Sequence, residues 1–131
     1  MIVLDASAVL ELVLVTDAGQ LVRERIASTS ETLHVPHLID LEVLQVLRRY
    51  CASGALEPDR AKLALEDFQA LDLERYAHEP MLDRIWQLRE NMTAYDAAYV
   101  ALAEVLAAPL LTFDARLANA PGHRADVELI E

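Results

Sequence analysis

The sequence predicts an α/β fold on a mostly parallel central sheet. Two observations carry that expectation. Short apolar runs, Ile2-Val3-Leu4 and Leu110-Leu111 among them, alternate with longer stretches of helical period. The first run is apolar throughout rather than at every second position, as suits a strand covered on both faces by crossover helices. The chain has 131 residues, of which 54% are apolar, enough for one domain with a core of its own.

The elements follow in order. Residues 2–4 form a buried strand that ends at Asp5. Asp5 or Ser7 can cap a helix over 8–13, because a short polar side chain there accepts from the free N–H groups of a first turn. Asp17 opens a second helix with Leu21, Val22 and Ile26 on one face. A strand over 32–35 stops at Pro36, and a long helix from about 37 to 52 is closed by Ser53-Gly54. Pro58 suits a first helical turn and starts a helix through 71. A strand over 71–76 is followed by a helix over 80–90 and by one that Thr93 caps, running through 107. A strand over 109–113, a short helix after Asp114 and a strand over 127–130 complete the pattern. No repeat or linker interrupts it, so a single domain over 1–131 is expected.

Eleven Lys and Arg stand against 22 Asp and Glu, a formal charge of −11. That argues against broad electrostatic binding to nucleic acid or anionic membrane, which relies on basic patches. It leaves room for a nucleic-acid enzyme whose acids hold metal and whose few cations are well placed. Lys62 is the sole lysine, and arginine suits bidentate recognition of phosphate or carboxylate. No apolar run approaches the ~18–20 residues of a membrane span. The N-terminus lacks the basic region of a signal peptide, and the lone Cys51 has no internal partner for a disulfide. A cytoplasmic protein is expected. The high apolar fraction also predicts an oligomer or a tightly bound partner.

Four acids fall on one edge of such a sheet. Asp5 and Asp114 close strands, Asp96 is in the first turn of its helix, and Glu42 is in the second turn of the helix after the 32–35 strand. The carboxyl ends of parallel strands and the amino ends of the next helices share the edge where ligands bind. Carboxylates ~4 Å apart repel by about 4 kcal/mol at an effective dielectric of ~20, so a cluster calls for a cation or for protons. Oxygen-only ligation selects Mg2+ or Mn2+. Such a site, on a phosphodiester, activates water and stabilises the leaving oxygen. Each acid also has a structural reading. Asp5 and Asp114 can be helix caps, Thr93-Ala94-Tyr95-Asp96 fits a capping box, and Glu42 shares a stripe with Gln45 and Arg49. Periodicity does not decide between the two.

Motifs do more. Ile2-Val3-Leu4-Asp5-Ala6-Ser7-Ala8 resembles the opening strand of PIN-domain ribonucleases. Pro36 followed by Leu41-Glu42-Val43 and Leu47-Arg48-Arg49 resembles their second acidic motif. The stretch from Thr93 to Ala103 is similar to the third, the most specific, and Leu110-Leu111-Thr112-Phe113-Asp114 to the fourth. Length and motif wording look most like the VapC-type toxins of VapBC toxin–antitoxin pairs. The resemblance implies a PIN-like α/β/α sandwich, a Mg2+- or Mn2+-dependent endoribonuclease, a homodimer, an RNA substrate and a VapB-type antitoxin. It assigns the metal-binding and catalytic roles to Asp5, Glu42, Asp96 and Asp114, with Asp5 and Asp96 as primary ligands. Ser7 and Thr112 would orient those carboxylates by hydrogen bonds. Some relatives carry a further acid just after the fourth motif, where this chain reads Ala115-Arg116-Leu117-Ala118-Asn119. Gln45 stands where many carry Asn.

Other residues are weighed against plainer roles. Arg89 could steer a phosphate or an antitoxin carboxylate toward the cleft, or be an exposed helix end. Arg48 and Arg49 read as surface or partner-facing charges. His34 and His37 read as edge or loop histidines, and His78 and His123 as turn residues without a visible partner. Met81, Leu82 and Trp86 make a stripe for core or dimer interface. Met92 and Tyr95 flank the cleft and could stack a base, with core packing the plainer reading. A phospho-receiver domain fits poorly, since it needs adjacent acids after the first strand and a lysine on the last. A degenerate PIN domain that only binds protein or RNA is the remaining alternative.

Overall fold

The computed structural model describes residues 1–27 and 30–131. Five parallel strands form one sheet: β1 (Ile2–Leu4), β2 (Leu33–Pro36), β3 (Leu73–Tyr76), β4 (Leu110–Thr112) and β5 (Val127–Leu129), in the spatial order β3-β2-β1-β4-β5. The first strand is central because it can be: Ile2, Val3 and Leu4 are all fully buried and carry nothing polar. Val3 pairs with His34 on one side and with Leu110 on the other. The edge strand β3 reads Leu-Glu-Arg-Tyr, and its Glu74 and Arg75 face solvent.

Among the described residues, seven α-helices cover the sheet: α1 (Ala6–Val13), α2 (Asp17–Ala27), α3 (Leu38–Ala52), α4 (Pro58–Ala70), α5 (Leu82–Gln87), α6 (Ala94–Leu106) and α7 (Ala115–Ala118). Helices on a parallel sheet make the expected α/β/α sandwich. In α6 every residue from Ala97 to Ala103 is buried, and four of those seven are alanines, which lets the helix pack closely on all sides. A Cβ on Gly19 of α2 would meet the Glu11 carbonyl oxygen at 2.2 Å, so glycine sets the close approach of α2 to α1. Among the described residues, no helix is long and apolar enough to cross a membrane.

The winding of the chain locates the site. From β1 it moves outward through β2 to β3, then returns to the other side of β1 and moves outward again from β4 to β5. The connections after β1 and β4 therefore diverge and leave a crevice at the carboxyl ends of these two neighbours. Open parallel sheets bind ligands at such a switch point.

Two expectations, the helix over 80–90 and the places of the histidines, are corrected. The helix over 80–90 is shorter and broken: a 3-10 turn, Glu79–Met81, carries Pro80 and precedes α5. The Met81–Leu82–Trp86 stripe divides accordingly. Met81 joins the core, whereas Leu82 and Trp86 are exposed. The histidines also have better-defined places. His34 lies on an interior strand, 6% exposed, with Nε2 2.7 Å from the Thr32 hydroxyl and Nδ1 2.7 Å from that of Tyr76. His78 Nε2 accepts the Leu38 N–H at 3.0 Å, meeting a first-turn donor of α3 that His37, at the cap position, leaves open. His123 Nδ1 accepts the Ala125 N–H at 3.1 Å.

Candidate active site

Asp5 begins the site. It caps α1, its Oδ1 accepting the Ala8 N–H at 3.0 Å and the Ser7 hydroxyl at 2.6 Å. Its Oδ2 accepts the Thr112 hydroxyl from the end of β4 at 2.5 Å. Both hydroxyls are then used again as acceptors, Ser7 Oγ from the Phe113 N–H and Thr112 Oγ1 from the Asp114 N–H, each at 3.0 Å. Ser7 and Thr112 thus orient Asp5 and stitch the β1–α1 turn to the β4–α7 turn across the switch point. Asp5 is 7% exposed. Burial pushes its pKa up, its three donors pull it down, and Asp96 adds a repulsion that raises it.

The other acids arrive from three further segments. Glu42, half-buried on α3, accepts the Tyr99 hydroxyl on Oε1 at 2.6 Å. Burial raises its pKa, the Tyr99 bond lowers it, and Asp96 and Asp5 raise it. Asp96 lies in the first turn of α6, where Thr93 accepts its N–H at 3.2 Å. Burial and the nearby Asp114 raise the Asp96 pKa, while Arg116 and the Thr93 hydroxyl lower it. Asp114 caps α7, accepting the Arg116 N–H at 2.9 Å, and pairs with Arg116 Nε at 3.5 Å. These mutual influences join all four: Asp5 with Asp96, Glu42 with both, Asp96 with Asp114.

Capping and clustering are therefore not alternatives. Asp96 gives its backbone N–H to the Thr93 hydroxyl, which also lowers the pKa of its carboxylate, while Asp114 raises it. Asp5 and Asp114 cap with one oxygen, Oδ1; the other oxygen of Asp5 accepts the Thr112 hydroxyl. The donor set is oxygen only, which suits a hard divalent cation. As they stand, no three acidic, histidine or cysteine side chains among the described residues form a closed set of metal ligands. The acids share a field without touching.

Two clefts flank them. One of about 250 Å3 is lined by Asn91, Thr93, Asp96, Asp114 and Arg116. The other, of about 420 Å3, runs along α3 past Leu41, Glu42, Gln45, Arg49 and Tyr95. Tyr95 is 62% exposed, so the expectation that it packs in the core fails: in the first turn of α6 it lines the groove beside Glu42. Met92 is half-buried against the core. Arg49 lines the second cleft. Arg89 follows α5, where its Nη1 donates to the Trp86 carbonyl at 3.0 Å and its guanidinium lies 4.5 Å from the centre of the Trp86 ring.

Two residues of the site escape a reading by motif alone. Tyr99 sits three residues after Asp96, the spacing that puts two side chains on one helix face. Arg116 sits two after Asp114, inside the turn that Asp114 caps. Those offsets were the available signals.

The chain is similar to known proteins in both sequence and fold. The PIN domain family model matches residues 2–122. Ribonuclease VapC12 of Mycobacterium tuberculosis is 42% identical over 130 residues, covering 99% of both chains. Ribonuclease VapC9 of the same organism is 44% identical over 119 residues, covering 91% of this chain and 90% of its own. In fold, the crystal structure of PAE2754 from Pyrobaculum aerophilum matches with a TM-score of 0.67 at 24% identity, over 89% of this chain and 83% of that one. A family model matched over residues 2–122 and identity above 40% over nearly the whole length make this chain a member of the PIN-domain family, on the branch of the VapC ribonucleases.

Proposed function

We propose that this protein is a divalent-metal-dependent endoribonuclease toxin, with Asp5, Glu42, Asp96 and Asp114 as its catalytic and metal-binding acids. The observation that carries the reading is that Asp5, Glu42 and Asp96 have raised pKa values and repel one another, that Asp96 also feels Asp114, and that Arg116 is the cation that offsets this charge. Such a cluster takes protons or a cation, and its all-oxygen donors fit Mg2+ or Mn2+.

The bound cation would supply the charge that lowers the pKa of a water and offsets charge developing on the phosphate. The chain's own groups do the rest. Ser7 and Thr112 hold Asp5 in one orientation, so its carboxylate needs no rearrangement during the reaction. Arg116 on one side and Arg49 on the other offer guanidinium groups to phosphates flanking the cut. The exposed Tyr95 ring offers a face to a base of single-stranded RNA. These few cations let a chain of charge −11 hold RNA locally.

The same reading gives the protein a VapB-type antitoxin as partner and a homodimer as its assembly. Exposed Leu41, Leu44, Leu82 and Trp86 supply apolar surface for such contacts. Nothing favours the degenerate binding module, since every acid the chemistry requires is present.

The test is cleavage of a mixed RNA pool by protein freed of antitoxin, with and without Mg2+ or Mn2+, beside Asp5→Ala. Metal-dependent cutting that Asp5→Ala abolishes is expected. Cutting that survives in Asp5→Ala would refute the assignment of the site.

A further inference from the structure

The hydroxyl of Tyr99 ties the acid cluster to the core. Its residue is 2% exposed, among the most buried aromatic groups of the molecule. A buried phenol needs a hydrogen-bond partner, and this one donates to Glu42 Oε1 at 2.6 Å. A core position that required only a ring would be filled by phenylalanine. Here the additional oxygen serves a half-buried carboxylate on another helix.

The bond also spans the site. Helix α3 belongs to the connection from β2 to β3, whereas α6 belongs to the connection that returns to β4. The Tyr99–Glu42 bond joins these two crossovers beside the switch point, from a residue one turn beyond Asp96 on the same face of α6. Among the described residues, no other protein group donates to Glu42. The Tyr99 hydroxyl is thus the donor that orients the Glu42 carboxylate, whose charge is felt by Asp5 and Asp96.

We propose that Tyr99 is a positioning residue, whose hydroxyl holds the Glu42 carboxylate toward Asp5 and Asp96 and thereby sets the affinity of the cluster for a divalent cation. The inference rests on the reading of the four acids as a cation site.

Mn2+ binding to the purified full chain, followed by titration calorimetry, tests it without reference to RNA cleavage. Four proteins are compared: wild type, Tyr99→Phe, Glu42→Gln and the double variant. Removing a partner that orients a metal ligand costs about 10–100-fold in affinity, so Tyr99→Phe is expected to lose about tenfold. In the Glu42→Gln background the same substitution is expected to cost nothing further. Excess Mn2+ should restore cleavage by Tyr99→Phe with the KM for RNA unchanged. An unaltered affinity in Tyr99→Phe, or an equal loss in both backgrounds, would overturn the inference and leave the metal site standing. Failure of folded wild type to bind Mn2+ would refute the metal site, and the inference with it. If Tyr99→Phe does not fold, Glu42→Asp withdraws the carboxylate from the hydroxyl instead, and an undiminished affinity there overturns the inference.

Discussion

Thr112, the last residue of β4, donates its hydroxyl to Asp5, the residue that follows β1, across the crevice where the winding of the chain reverses. The bond makes the two central strands present one acid between them. Thr112→Val keeps the shape and removes the donor. Asp5, 7% exposed, then keeps only Ser7 and the Ala8 N–H. Leaving a buried acceptor short of a donor costs about 1–3 kcal/mol. The expected outcome is a lower melting temperature and weaker Mn2+ binding together. A variant that melts lower but binds Mn2+ as wild type does would show that the hydroxyl supports the fold alone.

The raised pKa values of Asp5, Glu42 and Asp96 fix the sign of a pH effect on the metal-free protein. Each carboxyl binds its proton more tightly folded than unfolded. Between the ordinary carboxylate range near pH 4 and the raised folded values, the native state holds more protons, so stability falls as pH rises through that window. Above it the ionised cluster is a standing strain. Asp96→Asn removes one of the repelling charges, and is expected to raise the melting temperature of metal-free protein at pH 7. It should also abolish the stabilisation that Mn2+ gives wild type. Thermal melts of both proteins at pH 4 and pH 7, with and without Mn2+, check the sign; a variant no more stable than wild type at pH 7 would contradict it.

Tyr95 tests the path of the RNA. Stacking of a base on an aromatic ring is worth about 1–3 kcal/mol by alanine substitution, roughly 5- to 150-fold in binding. Since the ring is 62% exposed and lines the groove beside Glu42, Tyr95→Ala should raise the KM for RNA about tenfold. Its kcat and Mn2+ affinity should stay near wild type, and Tyr95→Trp should restore the KM. An unchanged KM in Tyr95→Ala would move the RNA off this groove.

Most of the fold was legible because its strongest signals are local. Ile2-Val3-Leu4 has no polar face and so had to be central, and Asp5, Thr93, Pro58 and Gly54 punctuate the helices by their own chemistry. The segment over 80–90 was misread because its apolar residues keep a helical period although Pro80 and Met81 take a 3-10 turn first. Sequence put the acids on one edge, but their lateral meeting depended on strand order, and no periodicity encodes that β4 returns to the far side of β1. Tyr99 stayed hidden because a tyrosine in an alanine-rich, buried helix reads as packing, and its hydroxyl finds a partner only in three dimensions. Tyr95 was misplaced for the reverse reason: an aromatic residue in a helix suggests core, but in the first turn of α6 it lies beyond the packed face.

The contact between α1 and α2 separates stability from chemistry. Gly19 packs so closely that a Cβ there would meet the Glu11 carbonyl oxygen at 2.2 Å and the carbonyl carbon at 2.8 Å, both of them backbone. Backbone has no other rotamer to adopt, so Gly19→Ala must push the two helices apart. Overpacking of this kind costs about 1–3 kcal/mol, and helix propensity, which favours alanine by about 1 kcal/mol, offsets only part of it. The net expectation is destabilisation by about 1 kcal/mol, read as a lower denaturation midpoint. Neither Gly19 nor Glu11 lines the acidic clefts, so Mn2+ affinity and the KM for RNA of the folded variant should match wild type. A Gly19→Ala protein as stable as wild type would mean that α2 can shift without cost; one that is stable but inactive would mean that the α1–α2 contact reaches Asp5 through α1, whose first turn that aspartate caps.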